Sequence, residues 1–434
     1  MNNYIYENSR RLLIYKRILI GIWVLGVFFL LLASWHSIWK RIPSSIKLKA
    51  GIEQTINLSV PATGELYLEA IAVSGFNGSD NPVTESIHIN FARPVTMKAS
   101  VMNQYTLDVK LFGIIPIKSI HVEVIQDKVL TPAGIPIGIY VKTQGILVVG
   151  VGEFESESGQ TCAPAKYILQ SGDYILEIND EEVNSKKELI EKINHCEGQN
   201  IVLKVQRNEE TSLIMLQPEQ NKIGEYKLGI WVRDNAQGVG TMTFVDENQY
   251  FGALGHGIND VDTSTLMSLE SGTLYQTQII GITRGSNGSP GELTGYIEYD
   301  DNNILGNITE NTMEGIFGYC NEKAMAGIVS EALPIGLKQE IHLGEAQIIC
   351  SIGGETEYYD IAITKINLDN DNINRGIVLE ITDEELLALT GGIVQGMSGS
   401  PIVQDGKIIG AVTHVLVQDA TRGYGIFIEN MLSN

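Results

Sequence analysis

Gly396-Met397-Ser398-Gly399-Ser400-Pro401 sets one serine among small residues that let the backbone turn sharply. Such a turn presents the Ser398 hydroxyl, and the amides of Gly396 and Ser398 are spaced to face a developing oxyanion. A serine hydroxyl is a weak nucleophile until a neighbouring base takes its proton, so the loop directs attention to the histidines. Met397 need only pack, and Ser400 reads as structural.

The chain has seven histidines. His36 lies at the edge of an N-terminal apolar run, and His88, His121 and His195 belong to other segments, which leaves His256, His342 and His414. His256 stands in Gly252-Ala253-Leu254-Gly255-His256-Gly257, where glycines allow the backbone to place an imidazole at a strand end. His342 begins no such loop, and His414, on the strand from Ile408 to Val417, reads as structural. The residues do not single out an orienting carboxylate. Asp260, Asp262, Asp300, Asp301, Asp360, Asp369, Asp371 and Asp383 all lie between His256 and Ser398. Asp383, ahead of Glu384 and Glu385, also suits the acidic first turn of a capped helix.

At 434 residues the chain is long enough for two or three cores. Its 45 glycines against 12 prolines, with many Val, Ile and Thr, predict numerous short strands and a mainly β fold. A formal charge of −22, with no basic stripe beyond the N-terminal flank, argues against nucleic acid as a partner. Arg10, Arg11, Lys16 and Arg17 precede an uncharged apolar run from Ile18 to Trp35, and Lys40 and Arg41 follow it. As a helix this run spans about 27 Å, near the hydrocarbon thickness, and the basic flank keeps the N-terminus cytoplasmic. Ala33-Ser34-Trp35 ends in a bulky residue where a cleaved leader needs a small one, so the run reads as an uncleaved signal anchor. Four widely spaced cysteines do not make a zinc site, and a chain of this size needs no disulfide framework, although Cys162 and Cys196 lie in one module and could pair; no metal or cofactor is expected.

Four segments follow. Residues 1–43 are the cytoplasmic stub and transmembrane anchor. Residues 44–130 alternate apolar and polar positions, as in Gln54–Val60, Ser86–Phe91 and Ser119–Val124, and predict a small β-sandwich-like domain. Residues 131–221 carry the apolar Pro136-Ile137-Gly138-Ile139, strands at Gly145–Gly150 and Tyr174–Asn179, a helix from Ser185 to His195 with a capping box at Ser185 and Glu188, and a strand at Ile201–Arg207. This order resembles a PDZ domain. The resemblance implies that backbone amides at Ile137, Gly138 and Ile139 capture the C-terminal carboxylate of a peptide ligand. Residues 222–434 suffice for two small β-barrels.

The serine loop is similar to the G-D-S-G-G-P segment of chymotrypsin-like proteases, which implies a double β-barrel with His256 in the first barrel and Ser398 in the second. Leu228–Asp234, Gly238–Phe244, Gly252–His256, Ser289–Glu292 and Gly392–Pro401 together resemble the stage IV sporulation protein B family, membrane-anchored serine peptidases of endospore formers. The resemblance implies Ser398 as nucleophile, His256 as base, Asp383 as third member and an oxyanion hole at Gly396 and Ser398. It further implies a single-pass protein of the forespore membrane whose C-terminal bulk lies in the intermembrane space. Such an enzyme cuts its own N-terminal region, then a regulator of a membrane-embedded protease, and so permits activation of a late sigma factor. The competing readings are an inactive PDZ scaffold and a general quality-control protease; the latter usually places its peptidase ahead of its PDZ modules.

Overall fold

The computed structural model of the chain describes residues 2–67, 86–99, 104–208, 210–368 and 372–433. Two compact units are present, the first at Met1–Asp127 and the second at Lys128–Asn367 with Asn372–Asn434.

The first unit begins with a helix, α1 (Asn2–Arg41). Within its stretch Tyr15–Arg41 an 18-residue window has a mean hydropathy of 2.5 and is unburied, and the stretch is long and apolar enough to cross a membrane. Beyond α1 come β1 (Ser45–Lys49), β2 (Ala62–Tyr67), β3 (Ser86–Asn90), β4 (Gln104–Leu111) and β5 (Ile115–Ile125). They form one sheet in the order β1-β5-β4-β2-β3. Alternation turns Leu107, Val109, Ile120, Val122 and Val124 to a shared core with Ile42, Ile46 and Phe91, while Lys110 and His121 stay on the other face.

In the second unit, β6 (Val129–Pro132) and β7 (Pro136–Val151) precede the helical module. The module itself holds β8 (Tyr174–Ile178), α2 (Lys186–His195), β9 (Ile201–Arg207) and β10 (Glu210–Leu216). Ser185 caps α2 by accepting from the Glu188 amide, and Glu188 returns the bond to Asn184 N–H, close to the capping box expected. Leu189 and Ile193 pack from α2 onto Ile146, Val148, Ile175 and Leu203.

β11 (Ile230–Val245) is sixteen residues long, as is β7, and the two pair antiparallel through nearly their whole length. Their outer halves, Leu147–Val151 and Ile230–Arg233, belong to the sheet of the helical module, where Ile146 and Leu147 also pair with β8. Their inner halves belong to a barrel. With β12 (Tyr250–Ala253), β13 (Leu269–Thr283), β15 (Ile304–Thr312) and β16 (Gly315–Cys320), the pairings run β7-β11-β12-β16-β15-β13 and return to β7. A hairpin strand, β14 (Gly291–Ile297), extends β13 outside this ring. Gly145, at φ +74°, and register shifts opposite it bend the two long strands between the sheets.

The second barrel is closed and drawn from one stretch of chain. β17 (Gly344–Cys350), β18 (Glu357–Ile366), β19 (Ile377–Ile381), β20 (Pro401–Gln404), β21 (Lys407–Leu416) and β22 (Asp419–Phe427) close in the order β17-β18-β19-β22-β21-β20. Ile348, Ile361, Leu379, Ile402 and Val412 fill its interior. The short helix α3 (Glu384–Thr390) connects β19 to the serine loop.

The fold is therefore mainly β, with an apolar N-terminal helix, a small β-domain, a PDZ-like module and a double β-barrel. One expectation is corrected. Ile137, Gly138 and Ile139 do not form a carboxylate-binding loop but lie inside β7, where Gly138 pairs with Val239 of β11 on one side and Tyr275 of β13 on the other. Ile137 and Ile139 are 0% and 4% exposed in the first barrel's core. Backbone committed to two neighbouring strands is not open to a ligand's carboxylate. The sequence boundary expected at residue 221 likewise does not separate the sheets, because the first barrel takes a strand from each side of the PDZ-like module.

Candidate active site

Ser398 sits between β19 and β20 in a turn that glycines make possible. Gly396 and Gly399 have φ of +99° and +97°, where a side chain is strained. A Cβ on Gly399 would lie 2.0 Å from the Thr241 carbonyl oxygen and 2.6 Å from the Leu254 amide nitrogen, so only glycine lets this turn meet the opposite barrel. Thr241 of β11 holds the turn twice. Its amide donates to the Ser398 carbonyl at 3.0 Å, and its hydroxyl donates to the Gly396 carbonyl at 2.8 Å.

His256 stands just beyond β12, after two consecutive left-handed residues, Leu254 and Gly255, at φ +69° and +68°. A second contact across the barrels fixes this loop. Asn374, buried in the connection before β19, donates through its amide group to the Gly255 carbonyl at 2.6 Å and to the Met313 carbonyl at 2.8 Å. Thr413 of β21 in turn donates its hydroxyl to the Asn374 carbonyl at 2.7 Å. Farther along the loop, Asp260 accepts from the amides of Asp262 and Thr263 and is ion-paired with Arg233 of β11.

The two loops meet at a cavity of about 290 Å³ lined by Ser398, His256, His414, Leu254, Val239 and Ile139. The space suits a side chain and a short length of extended backbone. His256 Nδ1 lies 2.9 Å from the Gly257 carbonyl oxygen. A carbonyl only accepts, so Nδ1 carries the proton and Nε2 keeps the lone pair a base requires. Burial lowers the His256 pKa, opposed by this backbone bond, and the neutral imidazole is favoured. His414 packs beside it with ring centroids 4.9 Å apart and planes inclined by 39°. Burial among protein atoms, then the neighbouring His256 and Arg375, lower the His414 pKa to about 4. The side chain expected to be structural is thus a wall of the site.

The structure brings Ser398 and His256 together but does not bring Asp383 to them. Asp383 caps α3, accepting from the Leu386 amide at 2.9 Å and from the Asp360 amide at 3.3 Å. Among the described residues no carboxylate hydrogen-bonds His256; Asp260 and Asp262 are engaged by Arg233, Asp300 caps the turn at Asp301–Asn303, and Asp360 accepts from Gln347. Asp369 and Asp371 lie outside the described residues. Ser400 is fully buried, in keeping with a structural part, and His342 pairs with Asp405 at 2.9 Å, away from the cavity. Thr241 and Asn374 are the positioning residues that sequence reading missed. Thr241 lay within a run already noted, and its polarity at a buried strand position was the available signal; Asn374 gave none in a stretch rich in Asn and Asp.

Residues 224–432 match the SpoIVB peptidase S55 family, and residues 141–217 match the PDZ domain family. No curated protein matches the chain. A serine and a histidine facing one cavity between two β-barrels, with both family matches on the segments that build them, make residues 224–432 a serine peptidase domain of the SpoIVB S55 family, joined to a PDZ domain.

Proposed function

We propose that the chain is a membrane-anchored endopeptidase in which Ser398 attacks the peptide carbonyl and His256 takes its proton. The observation that carries this reading is the shared cavity of Ser398 and His256, on loops each tied to the opposite barrel, by Thr241 and Asn374 respectively. His256 then returns the proton to the leaving amine, and water hydrolyses the acyl-enzyme with the same base. The amides of Gly396 and Ser398 receive the oxyanion, a contact whose loss costs a few kcal/mol of barrier in comparable sites. Asp383 was expected to orient the imidazole; in this arrangement the Gly257 carbonyl does so.

The family match and α1 support a role in sporulation signalling at the forespore membrane, with the C-terminal bulk in the intermembrane space. The enzyme cleaves its own N-terminal region between the anchor and the PDZ domain, then a regulator of a membrane-embedded protease. The PDZ domain takes a peptide ligand. A fluorophosphonate probe and a processing assay on purified Ser398→Ala protein test the chemistry together. Serine-dependent labelling and self-processing of the wild type, both absent in the variant, are expected. Processing that persists in the purified variant overturns the assignment, and a wild type without an adduct is a scaffold.

A further inference from the structure

The turn between β4 and β5 exposes apolar side chains where a soluble surface would carry polar ones. Phe112, Ile114 and Ile115 are 69%, 80% and 47% exposed, as open as Phe29 and Leu30 on α1, at 65% and 69%. Single exposed apolar residues are ordinary, but three within four positions at a hairpin tip form a patch. The turn is ordered: the Phe112 amide donates to the Pro61 carbonyl, Gly113 to Lys110 and Ile114 to Leu111. Phe112 itself has φ of +52°, a conformation that Asn or Gly adopts at less cost. Neither solvation nor backbone preference accounts for phenylalanine there.

Position supplies the reason. β1 leaves the end of α1 and pairs parallel with β5, Ser45 beside His121 and Lys49 beside Ile125. β5 therefore begins on the helix side and runs away from it. Lys118, early in β5, donates to the Ile42 carbonyl at 3.0 Å, and its ammonium lies 4.4 Å from the Trp39 ring centre. Trp39, Lys40 and Arg41 are the residue types that mark a membrane–water boundary. From Lys118 the chain continues back through the start of β5 to Ile114 in the turn, about 13 Å at the usual extended rise per residue, toward the side from which the helix arrives. Behind the tip stand Lys110 and Lys118, placed as residues at headgroup level would be.

We propose that the β4–β5 hairpin tip is a second membrane contact, inserting Phe112, Ile114 and Ile115 into the interface of the bilayer that α1 crosses. The inference rests on the anchor reading above. With two points of attachment the small β-domain stands on the membrane in a fixed orientation.

The test uses full-length protein in phosphatidylcholine–phosphatidylglycerol vesicles, with Cys162→Ser and Cys196→Ser to remove the accessible thiols. Single cysteines are introduced as Ile114→Cys, Leu30→Cys and Ile52→Cys, the last in the turn beyond the far end of β1. Each is labelled with an environment-sensitive fluorophore. Spin-labelled lipid should reduce emission from positions 30 and 114 and leave position 52 unchanged. Quenching at 30 without quenching at 114 overturns the hairpin contact and leaves the anchor standing. No quenching at 30 overturns the anchor reading, and the hairpin inference with it. Equal quenching at 114 and 52 signifies general adsorption and also overturns the proposal.

Discussion

The two barrels reach similar architecture by different routes. The barrel that carries Ser398 is closed by β17 to β22 within one continuous stretch, and its serine turn is shaped locally by Gly396 and Gly399. The barrel that presents His256 needs β7, which enters the chain before the PDZ domain, and β11, which leaves it. The proposed nucleophile is thus set by short-range geometry, whereas the proposed base depends on a sheet that is also the PDZ domain's sheet. Because β7 and β11 run unbroken from one module into the other, the PDZ domain is a structural part of the peptidase.

Truncation is the most severe test of that contrast. A chain of residues 224–434 keeps all of the second barrel but removes β7 from the ring of the first, exposing the edges of β11 and β13 and the core around Leu274 and Phe251. It should be insoluble or inactive. A chain beginning at Lys128 retains both rings and should hydrolyse a peptide substrate normally. Full activity from 224–434 would show that the first barrel does not need the borrowed strand.

A smaller effect is expected at the seam. Thr241→Val removes the hydroxyl that holds the Gly396 carbonyl at little change in volume, leaving a buried acceptor without that donor. The turn then loses one of its two ties to the first barrel. A cost of about 1.4 kcal/mol corresponds to a tenfold fall in kcat, with KM little changed because Thr241 acts through the turn. Thr241→Ser should restore the rate. Unchanged kcat in the valine variant, or failure of serine to rescue, would remove Thr241 from the positioning machinery.

The same contrast explains what was legible in the sequence. Ser398 and His256 were readable because each sits in a short glycine loop, and glycine at a tight turn marks conformation directly. The two barrels could be expected from length and strand patterning. The origin of β7 could not. Ile137-Gly138-Ile139 is an apolar run around a glycine, and nothing local distinguishes a ligand loop from a strand paired on both sides; sixteen residues distributed between two sheets are a property of pairing, not of composition. Asn374 escaped for a related reason, since its importance lies in carbonyls far away in sequence. His414 read as structural from its place on the strand Ile408 to Val417, but a register shift in β21 lies beside it and the ring lines the cavity.

The smallest expected effect falls on Asp383, where local and long-range readings of one residue diverge. Its carboxylate caps α3, and asparagine caps a helix about as well as aspartate, so Asp383→Asn should preserve the fold and change kcat/KM only a few-fold. Asp383→Ala should cost about 1 kcal/mol of stability through the lost cap. A triad aspartate behaves otherwise: its replacement by asparagine lowers kcat roughly 10⁴-fold, because the imidazole loses its correct tautomer. The pH profile supplies an independent measure. A carboxylate at His256 would raise its pKa, whereas burial with only the Gly257 carbonyl on Nδ1 lowers it from 6.5. As the proposed base, His256 acts when neutral, so activity disappears as pH falls through that pKa, and the acid limb of kcat/KM should lie below pH 6.5 in both wild type and Asp383→Asn. An acid limb above 6.5 in the wild type that moves downward in the variant, with a loss near 10⁴-fold, would place Asp383 on the imidazole during turnover. The α3 cap would then have to open for catalysis, and the barrel that looked locally complete would share the first barrel's dependence on a distant element.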